Sequence, residues 1–238
     1  MARTLVQIAA DALGELGLPA LSAISGSSAG DAVQGLALLN REGRELADLD
    51  GGWPILRGEQ IITLVPDQEA YPFPDDIAYY RHNTIWDRTT HWRVFGPLSD
   101  REWQTLRSGT NVAAPWLRYR IFGGMIQFDP VPTQADTIVF EYISVNWAAA
   151  VDGTPKPAFT ADTDYPLLAP DLFVLGLKWR LLAARGMNYA EERAAYDDAV
   201  SRKRPREEVP AILQLNQRGP RYGGFGSGLV PIGNWPGR

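Results

Sequence analysis

Two histidines, His82 and His91, and three close acidic pairs, Asp75 with Asp76, Asp162 with Asp164 and Asp197 with Asp198, are the side chains whose types could transfer protons or hold a metal. A closed metal site needs about four ligands at defined spacing. Neither histidine begins such a pattern, and both read as surface or half-buried side chains of a strand-rich region. The first two acidic pairs sit in turn-rich sequence, where aspartate bonds its own backbone, and the third lies on a solvated helix face. Glycoside hydrolysis needs two carboxylates a few ångströms apart, and no pair is singled out for it. Gly26-Ser27-Ser28 lacks both a preceding strand and the Gly-Lys-Ser/Thr end of a phosphate loop. Gly26-Ser27-Ser28-Ala29-Gly30 has Gly-x-Ser-x-Gly spacing but no strand before it to make a nucleophile elbow, and there is no dinucleotide fingerprint. The chain therefore reads as a non-enzyme with no catalytic residue, cofactor or metal. A hydrolase of cell-wall polysaccharide or peptidoglycan stays as an alternative. A carbohydrate-binding module is another, because aromatic faces stack on sugars; the usual fate of eight Trp and nine Tyr is core and interface.

A different chemistry gathers at the C-terminus. From Gly219 onward there are seven glycines, interleaved with Tyr222, Phe225 and Trp235 and accompanied by Arg218 and Arg221. Such a segment cannot repay its ordering entropy alone. Inert linkers rarely carry aromatic residues at intervals, so it reads as a tail that orders on a partner surface, where the two arginines can meet carboxylates by bidentate bonds.

The rest of the chain has a globular composition, 45% hydrophobic and 21% charged over 238 residues. A net charge of −5 predicts no general affinity for nucleic acid or anionic membrane. With no cysteine, disulfides and thiolate chemistry are excluded. Gln7 and Asp11 interrupt what would be the apolar core of a signal peptide, and no run approaches a membrane span.

Periodicity supplies the elements. Leu5, Ile8, Ala9, Ala12, Leu13 and Leu16 fall at helical spacing behind a Thr4 cap and before Gly17. A second helix from Asp31 turns Ala32, Leu36, Leu39 and Leu46 inward and Arg41, Glu42, Arg44 and Glu45 outward. Short strands follow at 60–65, 68–73, 79–86 and 92–95, with a helix at 98–103 whose Ser99 and Glu102 form a capping box. Leu117 to Phe128 alternates at period two around Gly123-Gly124, a hairpin, and Thr137 to Ile143 adds a third strand. The run 167–185 is apolar around most of its girth and predicts a central helix; a charged helix follows to about Arg204. The fold class is α+β: a helical bundle from residues 1–52 and 165–204, an inserted antiparallel β-sandwich or barrel at 53–147, a linker loop at 148–164, and an extended Gly/Pro-rich tail at 205–238.

The order of these parts, with the Gly52-Trp53-Pro54 turn, the stretch Thr63 to Pro74, the hairpin ending Phe128-Asp129-Pro130-Val131-Pro132 and the strand Phe140-Glu141-Tyr142-Ile143, resembles the head-to-tail adaptor proteins of tailed bacteriophages. The similarity is nearest to adaptor or tail tubular proteins of short-tailed phages and covers chiefly residues 30–200. The resemblance implies a virion protein of the neck, assembled in the host cytoplasm into a homo-oligomeric ring of usually twelve subunits. Such a ring sits between the portal protein and the tail or nozzle protein, with DNA passing through its lumen on ejection without sequence-specific binding, and without contacting membrane. It also implies a C-terminal tail reaching into the portal, here with Arg218, Arg221, Tyr222, Phe225 and Trp235 as the partner-binding residues. Some relatives have been credited with cell-wall cleavage, but no catalytic residues carry over. The Gly/Pro-rich end after Pro205 is longer than the family pattern.

Overall fold

The computed structural model describes residues 3–49, 52–109 and 116–203. The chain is mixed α+β, with five helices and antiparallel sheets among the described residues. It divides into two compact units. One takes the described residues of Met1–Arg57 and Ile143–Glu207, the other those within Gly58–Tyr142.

In the first unit, α1 (Leu5–Glu15) starts where the Thr4 side chain accepts from the Gln7 N–H and the Gln7 side chain accepts in return from the Thr4 N–H, so two orphan donors are satisfied. Its stripe of Leu5, Ile8, Ala9, Ala12 and Leu13 is buried. Helix α2 (Gly30–Ala47) ends beneath Trp53, whose indole N–H donates to the Leu46 carbonyl at 2.7 Å. Gly52 takes φ 62° at this turn, the left-handed region that glycine enters without strain. Helix α4 (Pro170–Ala184) packs against α1, α2 and α5 (Ala190–Lys203). Its nearly all-round burial follows from these neighbours.

The stretch 148–164, expected as a linker loop, instead contributes to a small antiparallel sheet. Strands β8 (Ala148–Ala149), β9 (Pro155–Lys156) and β10 (Tyr165–Pro166) pair in the order β10-β8-β9. Pairs of two residues leave no readable alternation, and side chains hold the segment. Asn40 and Phe159 exchange two hydrogen bonds, and Asp162 accepts from the N–H groups of Ile24 and Ser25. In the core, Trp147 stacks on Phe173, and Phe159 meets both rings edge-on.

The second unit carries two sheets. In one, β1 (Arg57–Thr63), β7 (Thr137–Ser144) and β3 (Ile77–Tyr80) are neighbours in that order, and β4 (Trp86–Asp87) also pairs with β7. In the other, β2 (Ala70–Pro72), β6 (Met125–Asp129) and β5 (Arg118–Phe122) follow in that order. The β5–β6 hairpin closes from Phe122 opposite Met125 through Gly123 and Gly124, both at positive φ. Ile62, Ile138 and Phe140 from the first sheet meet Tyr71, Tyr119, Ile126 and Phe128 from the second in one buried cluster. Among the described residues no sheet closes into a barrel, so that form of the expectation is set aside. The strand expected over 79–86 is replaced by β3 and β4, separated by a turn, with Asn83 at φ 65°. The stretch 92–95 makes only isolated bridges, Trp86 to Arg93 and Phe95 to Arg118. Helix α3 (Asp100–Ser108) begins with the Ser99–Glu102 capping box read from the sequence.

Candidate functional site

The side chains with chemical potential are placed to hold the fold. Asp164 is 1% exposed and accepts from the Lys156 ammonium at 2.9 Å, the N–H groups of Thr160 and Ala161, and the Thr160 hydroxyl. Burial pushes its carboxyl up, but the Lys156 and backbone hydrogen bonds outweigh that and hold it below the usual range. Asp76 accepts from the Tyr142 hydroxyl. Asp197 and Asp198 form exposed i,i+4 pairs with Arg193 and Arg202. His82 meets the Tyr80 ring edge-on, and His91 occupies a left-handed backbone position at φ 60°. Among the described residues no group of three His, Asp or Glu side chains is gathered to hold a metal.

One feature of the first unit corrects the helical wheel. Glu42, expected on the outer face of α2, is fully buried. Arg180 Nε donates to its carboxylate at 2.7 Å, and an Arg180 terminal nitrogen reaches Glu45 at 2.6 Å. Gly176, one turn before Arg180 on α4, leaves the space that the Glu42 carboxyl fills; a Cβ there would run into it. Burial pushes the Glu42 carboxyl up, and Tyr196 and Arg180 offset only part of the shift. The Tyr196 phenol is pushed up in turn by burial and by Glu42. Sequence signals existed: Gly176 and Arg180, four residues apart in a largely apolar helix, mark a face that meets something polar.

The second unit carries two surface features. A cleft of about 520 Å³ lies over β4 and β7. Half-buried Trp86 supplies its apolar part over the buried Val139 and Phe140, while Glu59, Glu141 and Arg88 are exposed around it and ion-paired, Glu59 with Arg88 and Glu141 with Arg81. Its polar groups are committed locally: Asp87 accepts from the Thr89 and Thr90 N–H groups and the Thr90 hydroxyl, and the Thr84 hydroxyl donates to the Arg81 carbonyl. Such a cleft offers apolar burial and charge but no nucleophile activated by a base. On the second sheet, Arg120 lies 4.3 Å from the Trp103 ring of α3 and 4.6 Å from the Phe122 ring, and Arg107 stacks on Trp103 from α3 itself. The ladder packs α3 onto the outer face of the hairpin.

The five tail residues expected to bind a partner, Arg218, Arg221, Tyr222, Phe225 and Trp235, lie outside the described residues. No described helix is long and apolar enough to cross a membrane. A family model described as SU10 adaptor protein matches residues 3–219. No curated protein matches the chain.

Proposed function

Because the chain belongs to the SU10 adaptor protein family, a family of phage head-to-tail adaptors, we propose that it forms the ring joining portal to tail in a virion neck, with twelve copies around a DNA channel. The family match across residues 3–219 carries this reading. The family is one of structural virion proteins that associate with portal and tail components.

In this proposal the helices gathered about α4 form the bundle that meets the portal, and the two sheets sharing one core form a sandwich directed to the tail. The segment 205–238 docks on the portal ring through Arg218, Arg221, Tyr222, Phe225 and Trp235. A net charge of −5 keeps the lumen from gripping passing DNA. The subunits assemble in the host cytoplasm and turn over no substrate, a reading supported by the structural use of the Asp162, Asp164, Asp197 and Asp198 carboxylates.

Size-exclusion chromatography with mass measurement, on the chain alone and mixed with portal, tests the proposal. The expected species is a ring that co-elutes with portal. A monomer under both conditions, together with release of soluble fragments from peptidoglycan, would replace the ring with the hydrolase alternative.

A further inference from the structure

Helix α5 is the least anchored helix of its unit. It buries two residues, Tyr196 and Ala199, where α1 buries five, α2 seven and α4 eight. Isolated helices shorter than about 12–15 residues are marginal in water, and packing of an apolar stripe normally supplies what they lack. With fourteen residues and two of them buried, α5 draws little from that source. The rest of its hold is polar: Arg193 lies 4.5 Å from the Trp179 ring of α4, and Lys203 reaches the exposed Asp171 at 2.8 Å. An ion pair between exposed partners adds little.

The floor beneath α5 is polar as well. Tyr196 brings its phenol to the buried Glu42 carboxylate, which Arg180 holds from α4. Next to this pair, the Trp179 ring is flanked by Tyr196 and Arg193 of α5, and its indole N–H is buried without an acceptor. Burying a charge pair and an unbonded N–H takes both out of water, and opening returns that hydration. Docking of α5 therefore gains few apolar contacts and gives up much solvation. The link from α4 is exposed throughout 186–189, with Gly186 at φ 69°, so α5 can turn about it without disturbing packed side chains.

We propose that α5 is a strap that leaves α4 as one piece while α1, α2 and α4 stay packed, letting water reach Glu42, Arg180 and Trp179. Opening frees fourteen residues, about 21 Å of helix, at the root of the chain that follows Lys203, and so lengthens the reach of that segment toward a partner. The inference stands on the packing of the first unit and is independent of the ring reading.

Native-state hydrogen exchange of the full-length chain, read amide by amide, tests it. The amides of 194–200 are expected to exchange through one shared opening, at least about tenfold faster than those of α1 and α4. Equal protection in the three helices would overturn the proposal, because α5 would then open only with its unit. Protection that falls away residue by residue toward Lys203 would overturn it in favour of end fraying. Glu42→Leu/Arg180→Met/Tyr196→Phe gives the strap an apolar floor. It is expected to slow exchange of 194–200 relative to α1 by about tenfold or more, and an unchanged ratio would overturn the proposal. The chain has no cysteine, so thiol labelling of Ala199→Cys on α5, set against Ala12→Cys on α1, reports the same opening without background. Labelling of Ala199→Cys at least about tenfold faster is expected; equal rates would overturn the proposal.

Discussion

Replacing Arg180 with methionine isolates the buried charge pair of the helical unit. Methionine keeps much of the stem's length and apolarity but removes the guanidinium that reaches Glu42 at 2.7 Å and Glu45 at 2.6 Å. Glu45 is half exposed and can turn to water, whereas Glu42 cannot. Breaking a buried pair costs about 3–5 kcal/mol, because the remaining charge has no compensation. Protonation caps that cost. Giving a proton at pH 7 to a carboxyl whose ordinary value is 4.5 costs about 1.4 kcal/mol for each of the intervening units, or about 3.4 kcal/mol. The expected loss at pH 7 is therefore about 3–4 kcal/mol. Its pH dependence has a definite sign. A carboxyl raised in the folded state binds more protons folded than unfolded, so its contribution is fully present below 4.5 and is lost as pH rises through the folded value. Glu42 is already raised in the native protein, and losing Arg180 raises it further. The gap between native and variant should thus shrink as pH falls from 7 toward 5, at up to about 1.4 kcal/mol per unit. Urea unfolding followed by far-ultraviolet circular dichroism measures this, since α1, α2, α4 and α5 all lie in that unit. The double variant Glu42→Leu/Arg180→Met should recover most of the loss. A loss under about 1 kcal/mol at pH 7, or one independent of pH, would refute the account of Glu42 as a buried carboxylate held by Arg180.

Asp164→Asn should cost about 2–3 kcal/mol at pH 7 by the same assay. Because the native carboxyl sits below its ordinary 3.8, this gap should close as pH falls through the depressed folded value. Two glycines of α2 should respond in opposite directions to alanine. Gly43→Ala places a Cβ inside contact distance of the Trp147 ring, itself wedged by Phe159 and Phe173, for a net loss of about 1–2 kcal/mol in urea unfolding. Gly35→Ala meets nothing within 4 Å and should gain about 0.5–1 kcal/mol from helix propensity. Deleting residues 206–238 should leave the melting temperature little changed while abolishing portal attachment in a pull-down; equal binding by both forms would remove the tail from the docking mechanism.

Local signals were enough for much of this chain. The Ser99–Glu102 capping box and the Thr4 cap act within one helical turn, and the Gly123-Gly124 hairpin closes between adjacent residues, so each is complete in a few consecutive side chains. The apolar girth of 170–184 likewise announced a helix surrounded by others before its neighbours were known. What failed had partners far away in sequence. Glu42 reads as one more charge on a charged stretch of α2; only the arrival of Gly176 and Arg180 from α4, more than 130 residues later, makes a place where its carboxylate can be buried. The stretch 148–164 reads as loop because its strands are two residues long and its order comes from Asn40, Ile24 and Ser25 across the unit. The exposed Phe122 and Met125 at the hairpin tip are of the same kind. Alternation puts both on the outward face, but where α3 stops covering that face depends on Trp103 stacking with Arg120, a contact between segments that the sequence cannot bring together on its own.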